Sequence, residues 1–132
     1  SVQTGGGIYN ERICTVNSST ISGNSASNSG GGLYNNDSIG TFHLSSSIVA
    51  GNTAPNGANI SNTLASNINN LTSGDPLLFP LGDYGGPTQT MALRPGSPAR
   101  NAATGSTSTR IHDFHINRFA PVAAAEGCVR RS

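Results

Sequence analysis

Short pairs of apolar residues, two apart and flanked by polar ones, recur along the first half of this chain. Cys14 and Val16 alternate with polar neighbours in ICTVN, as Phe42 and Leu44 do in TFHLS. That spacing is the signature of a strand with one buried face. No stretch carries an apolar stripe at i, i+3, i+4 and i+7, and helix formers are scarce. The pattern predicts short strands and no helix.

The strands belong to a repeat. TGGGIYN at 4–10 recurs as SGGGLYN at 29–35, a shift of 25, and VNSSTISGNSA at 16–26 recurs as LSSSIVAGNTA at 44–54, a shift of 28. A local insertion accounts for the difference, since Ile8 to Val16 is eight positions and Leu33 to Leu44 is eleven. A fainter third copy, NGANIS, puts Ile60 twenty-seven residues after Leu33. Cys14, Val16 and Ile21 match Phe42, Leu44 and Val49, so apolar side chains return at the same points of each copy.

Such shifts fall in the range of solenoid repeats, where one copy alone cannot bury its apolar face and neighbours must stack. Asn24 and Asn52 take equivalent turn positions after a glycine, where asparagine tolerates left-handed backbone and can stack amide on amide. The glycine triplets have two uses: turning a corner with positive φ, and packing against the next copy where a Cβ would clash. The aliphatic residue after each triplet is expected to point inward and the tyrosine outward or onto a stack. A phosphate-cradling reading of the glycines requires a preceding strand and a following helix, and neither is present. The expectation is an all-β right-handed parallel β-helix of two to three coils plus an irregular C-terminal capping segment.

Composition then narrows the partners. Of 132 residues, 34% are apolar and 10% charged, poor enough for a disordered chain, but the repeat opposes disorder. With a net charge of +1 and no lysine, the chain has no basic stripe for nucleic acid or an anionic membrane. No apolar run approaches the roughly 20 residues of a membrane helix. Residues 1–74 hold only Glu11, Arg12 and Asp37; the other ten charged residues follow. That shift divides the chain into coils at 1–73, a capping segment at 74–103 and a divergent tail at 104–132.

GGGIYN, STISGNSA, GGGLYN and SSIVAGNTA resemble the repeats of bacterial right-handed parallel β-helix proteins of the polymorphic outer-membrane and pectin-lyase-like type. Residues 74–99, GDPLLFPLGDYGGPTQTMALRPGSPA, resemble the C-terminal element of choice-of-anchor Q surface proteins. The family's continuation is absent after Ala99: Arg100, Asn101, Ala102 and Ala103 stand there, and the tail STSTRIHDFHINRFAPVAAAEGCVRRS does not register with it. The resemblance implies an extracellular or bacterial cell-surface location. It also implies a piece of a larger solenoid that is structural or adhesive, with a glycan or surface-protein ligand. The alternative it implies is the non-catalytic end of a polysaccharide lyase or glycoside hydrolase.

Candidate chemistry is sparse. Asp75 and Asp83 are the acids to consider for lyase or hydrolase work, yet Asp-Pro and Asp-Tyr-Gly-Gly are ordinary turn sequences. His112, Asp113 and His115 supply donor types for a transition metal, but Glu126, Cys128 and His43 complete no diagnostic spacing. No cofactor is expected, calcium or a transition metal being the alternatives. Cys14 aligns with Phe42 at an inward position and reads as a small core hydrophobe; a bridge to Cys128 is the alternative, fitting an exported protein. An exposed coil edge presents unpaired backbone groups, so a homo-oligomer is expected there unless the tail, with Ile111, Phe114, Ile116, Phe119 and Val122, folds back over it.

Overall fold

A computed structural model describes residues 3–100 and 128–130. Nine strands and no helix occur among the described residues: β1 (Ile8–Asn10), β2 (Ile13–Asn17), β3 (Thr20–Ile21), β4 (Leu33–Asn35), β5 (Thr41–Ser45), β6 (Ile48–Val49), β7 (Ile60–Ser61), β8 (Ser66–Ile68) and β9 (Cys128–Arg130). They form three sheets, ordered β7-β4-β1-β9, β2-β5-β8 and β3-β6. Every pairing among β1–β8 is parallel.

The register is the one the repeat predicts. Ile8 lies beside Leu33 and Leu33 beside Ile60; Cys14, Val16 and Ile21 lie beside Phe42, Leu44 and Val49. Along β2 and β5, buried residues alternate with more exposed ones, as a half-buried strand requires. The inward residues Ile8, Cys14, Val16, Ile21, Leu33, Phe42, Leu44 and Val49 form one core, with Ile60 and Leu64 packed against it. Like stacks on like because a parallel rung places equivalent residues side by side.

Between the second and third sheets each repeat bends at a residue with positive φ: Ser18 (49°), Ser46 (48°) and Asn69 (56°). The next serine finishes the bend. Ser19 and Ser47 each donate Oγ–H to the carbonyl two residues back, at 2.8 and 2.7 Å. Ser47 Oγ also accepts the Ser19 N–H at 3.1 Å, and Asn70 Oδ1 accepts the Ser47 N–H at 2.8 Å, so one column of side chains links all three repeats.

The glycine triplets have both predicted uses, divided by position. The first glycine of each copy turns the corner: φ is 69° at Gly5, 65° at Gly30 and 54° at Gly57. The second and third lie against the neighbouring repeat. A Cβ on Gly32 would sit 2.6 Å from the Asn59 carbonyl oxygen, and one on Gly31 would run into the carbonyl oxygens of Thr53 and Ala58.

Pairing changes direction after the Ile48–Leu71 bridge, the last parallel contact. Residues 77–94 double back as an antiparallel ladder, with Phe79 N–H on the Ala92 carbonyl (2.7 Å) and Gly82 exchanging two bonds with Thr90 (2.8 and 2.7 Å). Leu78, Leu93 and Ala99 pack against Ile48 and Ala50, with Leu71 joining them, in a second apolar cluster. Val49 belongs to the first cluster and Ile48 to the second, so β6 is buried on both faces. This segment covers the flank of the third sheet.

Candidate functional site

Asp75 and Asp83 both accept hydrogen bonds from the backbone of their own turns. Asp75 Oδ1 takes the Leu77 N–H at 2.8 Å, and Asp83 Oδ1 takes the Gly85 N–H at 3.0 Å. Each is an Asx turn, in which a short carboxylate satisfies a backbone donor two residues on. Both side chains lie at exposed positions, one at the entrance to the antiparallel ladder and one near its tip. No other acid or base among the described residues joins either of them by a hydrogen bond. Among the described residues no three His, Cys, Asp or Glu side chains group closely enough to hold a metal ion. His112, Asp113 and His115 lie outside the described residues. His43, in β5, is half-buried with Nδ1 3.0 Å from Ser66 Oγ.

Cys14 is fully buried at the inward position predicted for it, but it is not a free thiol. It is disulfide-bonded, and no free cysteine occurs among the described residues. The chain's other cysteine, Cys128, lies on β9, whose backbone runs antiparallel to β1 with Cys128 opposite Asn10. The reading of Cys14 as a plain core hydrophobe is therefore corrected. Alignment with Phe42 reported burial correctly, but burial does not distinguish a thiol from a half-cystine.

Asparagine ladders are the most regular polar feature. The expected pair stacks: Asn24 Nδ2 donates to Asn52 Oδ1 at 3.1 Å, and that oxygen also accepts the Asn24 backbone N–H at 3.0 Å. Left-handed backbone is supplied by the preceding glycines, Gly23 and Gly51, rather than by the asparagines. Asn52 in turn donates to Asn59 Oδ1 at 3.2 Å, and Asn59 donates to the Thr72 carbonyl at 3.0 Å. A second ladder escaped the sequence reading. Asn10 and Asn35 are almost fully buried, and Asn10 Nδ2 donates to Asn35 Oδ1 at 2.8 Å and to the Arg12 carbonyl at 2.9 Å. Asn35 passes the pattern on to the Thr63 carbonyl at 2.8 Å. The available signal was the asparagine that closes both GGG-x-Tyr-Asn copies.

On the outer face of the first sheet, Tyr9 and Tyr34 stack with ring centroids 5.4 Å apart and planes within 2°. Ser61 takes the equivalent place in the third repeat, so the stack ends there. Tyr9 donates its phenol O–H to Glu11 at 2.8 Å. That bond, followed by desolvation, pushes the phenol above its ordinary value of 10.0. A cavity of about 520 Å³ opens at the third-repeat end, lined by Ile60 and Leu64 together with Asn59, Asn62, Asn67 and Thr72.

The chain matches no family model, no curated protein and no solved structure.

Proposed function

We propose that this chain is a stretch of right-handed parallel β-helix, serving as a non-enzymatic structural or adhesive module of a secreted or surface-anchored bacterial protein. The observation that carries the reading is the equivalence of successive rungs. The same residue types return in register in three sheets, and the same side-chain hydrogen bonds return with them. A surface built by repetition presents equivalent groups about every 4.8 Å and suits an extended ligand, a glycan chain or a surface protein, better than a small substrate.

The four acids among the described residues support the same side. Glu11 holds the Tyr9 phenol, Asp37 accepts the Thr63 N–H at 2.9 Å, and Asp75 and Asp83 close turns. Glycosidic cleavage needs two carboxylates facing one bond, about 5–9 Å apart, and these four each have a local structural partner.

Incubating the protein with pectate and other acidic glycans, with and without calcium, tests the reading. The glycans are expected to keep their chain length. Calcium-dependent release of unsaturated oligosaccharides, lost in Asp75→Asn or Asp83→Asn, would replace it with a lyase.

A further inference from the structure

β9 is anomalous in this fold. Every pairing among β1–β8 is parallel and links one repeat to the next, whereas β9 runs antiparallel along β1. It is three residues long, and twenty-seven residues separate it from Arg100. No tight turn fixes its register, as a hairpin loop would. The β1 edge is thus filled by strand addition, in which an extended segment supplies main-chain hydrogen bonds to an open edge.

The backbone of Tyr9 is what that edge offers. Ile8 N–H bonds the Gly32 carbonyl on the β4 side at 2.9 Å, and Asn36 N–H bonds the Asn10 carbonyl on the same side at 2.9 Å. Strand groups alternate in direction, so the N–H and C=O of Tyr9 face β9, where Val129 is its partner in register. Cys14, buried in the same core as Ile8 of β1, is disulfide-bonded, and the sequence holds one other cysteine, at position 128 of β9.

We propose that the β1 edge is a strand-acceptor site whose ligand is residues 128–130, the chain's own in the oxidised monomer and those of a second copy once the bond at Cys14 is reduced. Reduction by a dithiol breaks one S–S bond, delivers two electrons and two protons to give two thiols, and oxidises the dithiol to its cyclic disulfide. With the covalent tie gone, three residues of pairing remain to hold the strand. Two copies can then exchange β9 reciprocally, each keeping the pairing it had, which is the low-cost route to a dimer by swapping. The inference rests on the pairing of β1 and on Cys14, and stands apart from whether the module is adhesive or enzymatic.

Amide hydrogen exchange and sedimentation on the full chain, with and without dithiothreitol, test it. In dilute protein, reduction should speed exchange at the Tyr9 amide by about tenfold or more while Ile8, bonded to Gly32, stays protected. Raising the concentration of the reduced protein should produce a dimer, and the synthetic peptide EGCVRRS in excess should suppress it. Val129→Pro removes the N–H that faces Tyr9, so the reduced variant should stay monomeric. A reduced wild-type chain that remains monomeric with unchanged Tyr9 exchange overturns the proposal. So does a reduced Val129→Pro chain that still dimerises, which would mean that bare edges pair without β9.

Discussion

The second and third repeats share a register but not a composition, and the difference shows how position in a stack selects residues. In the second repeat Gly31 and Gly32 face the backbone of the third, where a Cβ has no room. In the third repeat the same two positions carry Ala58 and Asn59. Ala58 is exposed, and Asn59 uses its side chain to accept from Asn52 and donate to Thr72, so the ladder ends on a residue placed where a glycine stood before. The inward pair changes as well. Phe42 and Leu44 are fully buried, while their third-repeat partners by register, Ala65 and Asn67, are exposed. A repeat with a neighbour on both sides needs large apolar side chains and bare backbone. One at the end needs small and polar residues, as terminal repeats of stacked folds generally do.

Paired substitutions can break that contrast, beginning with the core. Phe42→Ala should cost roughly 3–5 kcal/mol in chemical denaturation, because a fully buried ring leaves a cavity behind it. Ala65→Gly, at the matching position just before β8, should cost under about 1 kcal/mol, a backbone-entropy effect alone. Equal costs would mean that the third repeat is as enclosed as the second.

The glycines come next. Gly31→Ala must push apart two carbonyls, and overpacking of that kind costs about 1–3 kcal/mol or more. Ala58→Gly should change stability by less than about 1 kcal/mol. A neutral Gly31→Ala would show that the sheets separate more easily than the contact distances imply.

The asparagine ladder gives a finer comparison. Asn52→Ala leaves the Asn24 N–H without its partner, takes one of two donors from the Ile21 carbonyl, and should cost roughly 1–3 kcal/mol. Asn59→Ala removes the end of the ladder, where water can replace the lost groups, and should cost less. An unchanged melting midpoint for Asn52→Ala would speak against the ladder as a source of stability.

The smallest effect concerns the first repeat's surface. The Glu11 hydrogen bond raises the Tyr9 phenol, so Glu11→Gln should bring its ultraviolet titration back toward 10.0. Because the raised value favours the protonated form in the folded chain, this contribution is complete below pH 10 and fades as pH rises through the folded value. A Tyr9 titration indifferent to Glu11 would remove the contact as its cause.

Much of the fold was legible because a parallel stack writes itself into the sequence as self-similarity. The strand pairings Ile8–Leu33–Ile60, Cys14–Phe42 and Val16–Leu44 follow from aligning the copies, as does the Asn24–Asn52 rung. The turn roles of Asp75 and Asp83 were equally local, since an Asx turn needs only the next two residues.

What the sequence alone determined was therefore everything that repeats or closes within a few residues: strand period, register, glycine corners and the absence of helix among the described residues. Tertiary structure decided what depends on a neighbour far along the chain. Cys14 became a half-cystine, because a disulfide needs a second sulfur brought to it by the fold, and no local pattern encodes that meeting. Residues 128–130 joined the β1 edge in the opposite direction to every repeat, which self-alignment cannot detect. Asn10 and Asn35 proved to be buried ladder members because the chain carries their polar groups past one another inside the stack, where only hydrogen bonding offsets the loss of water.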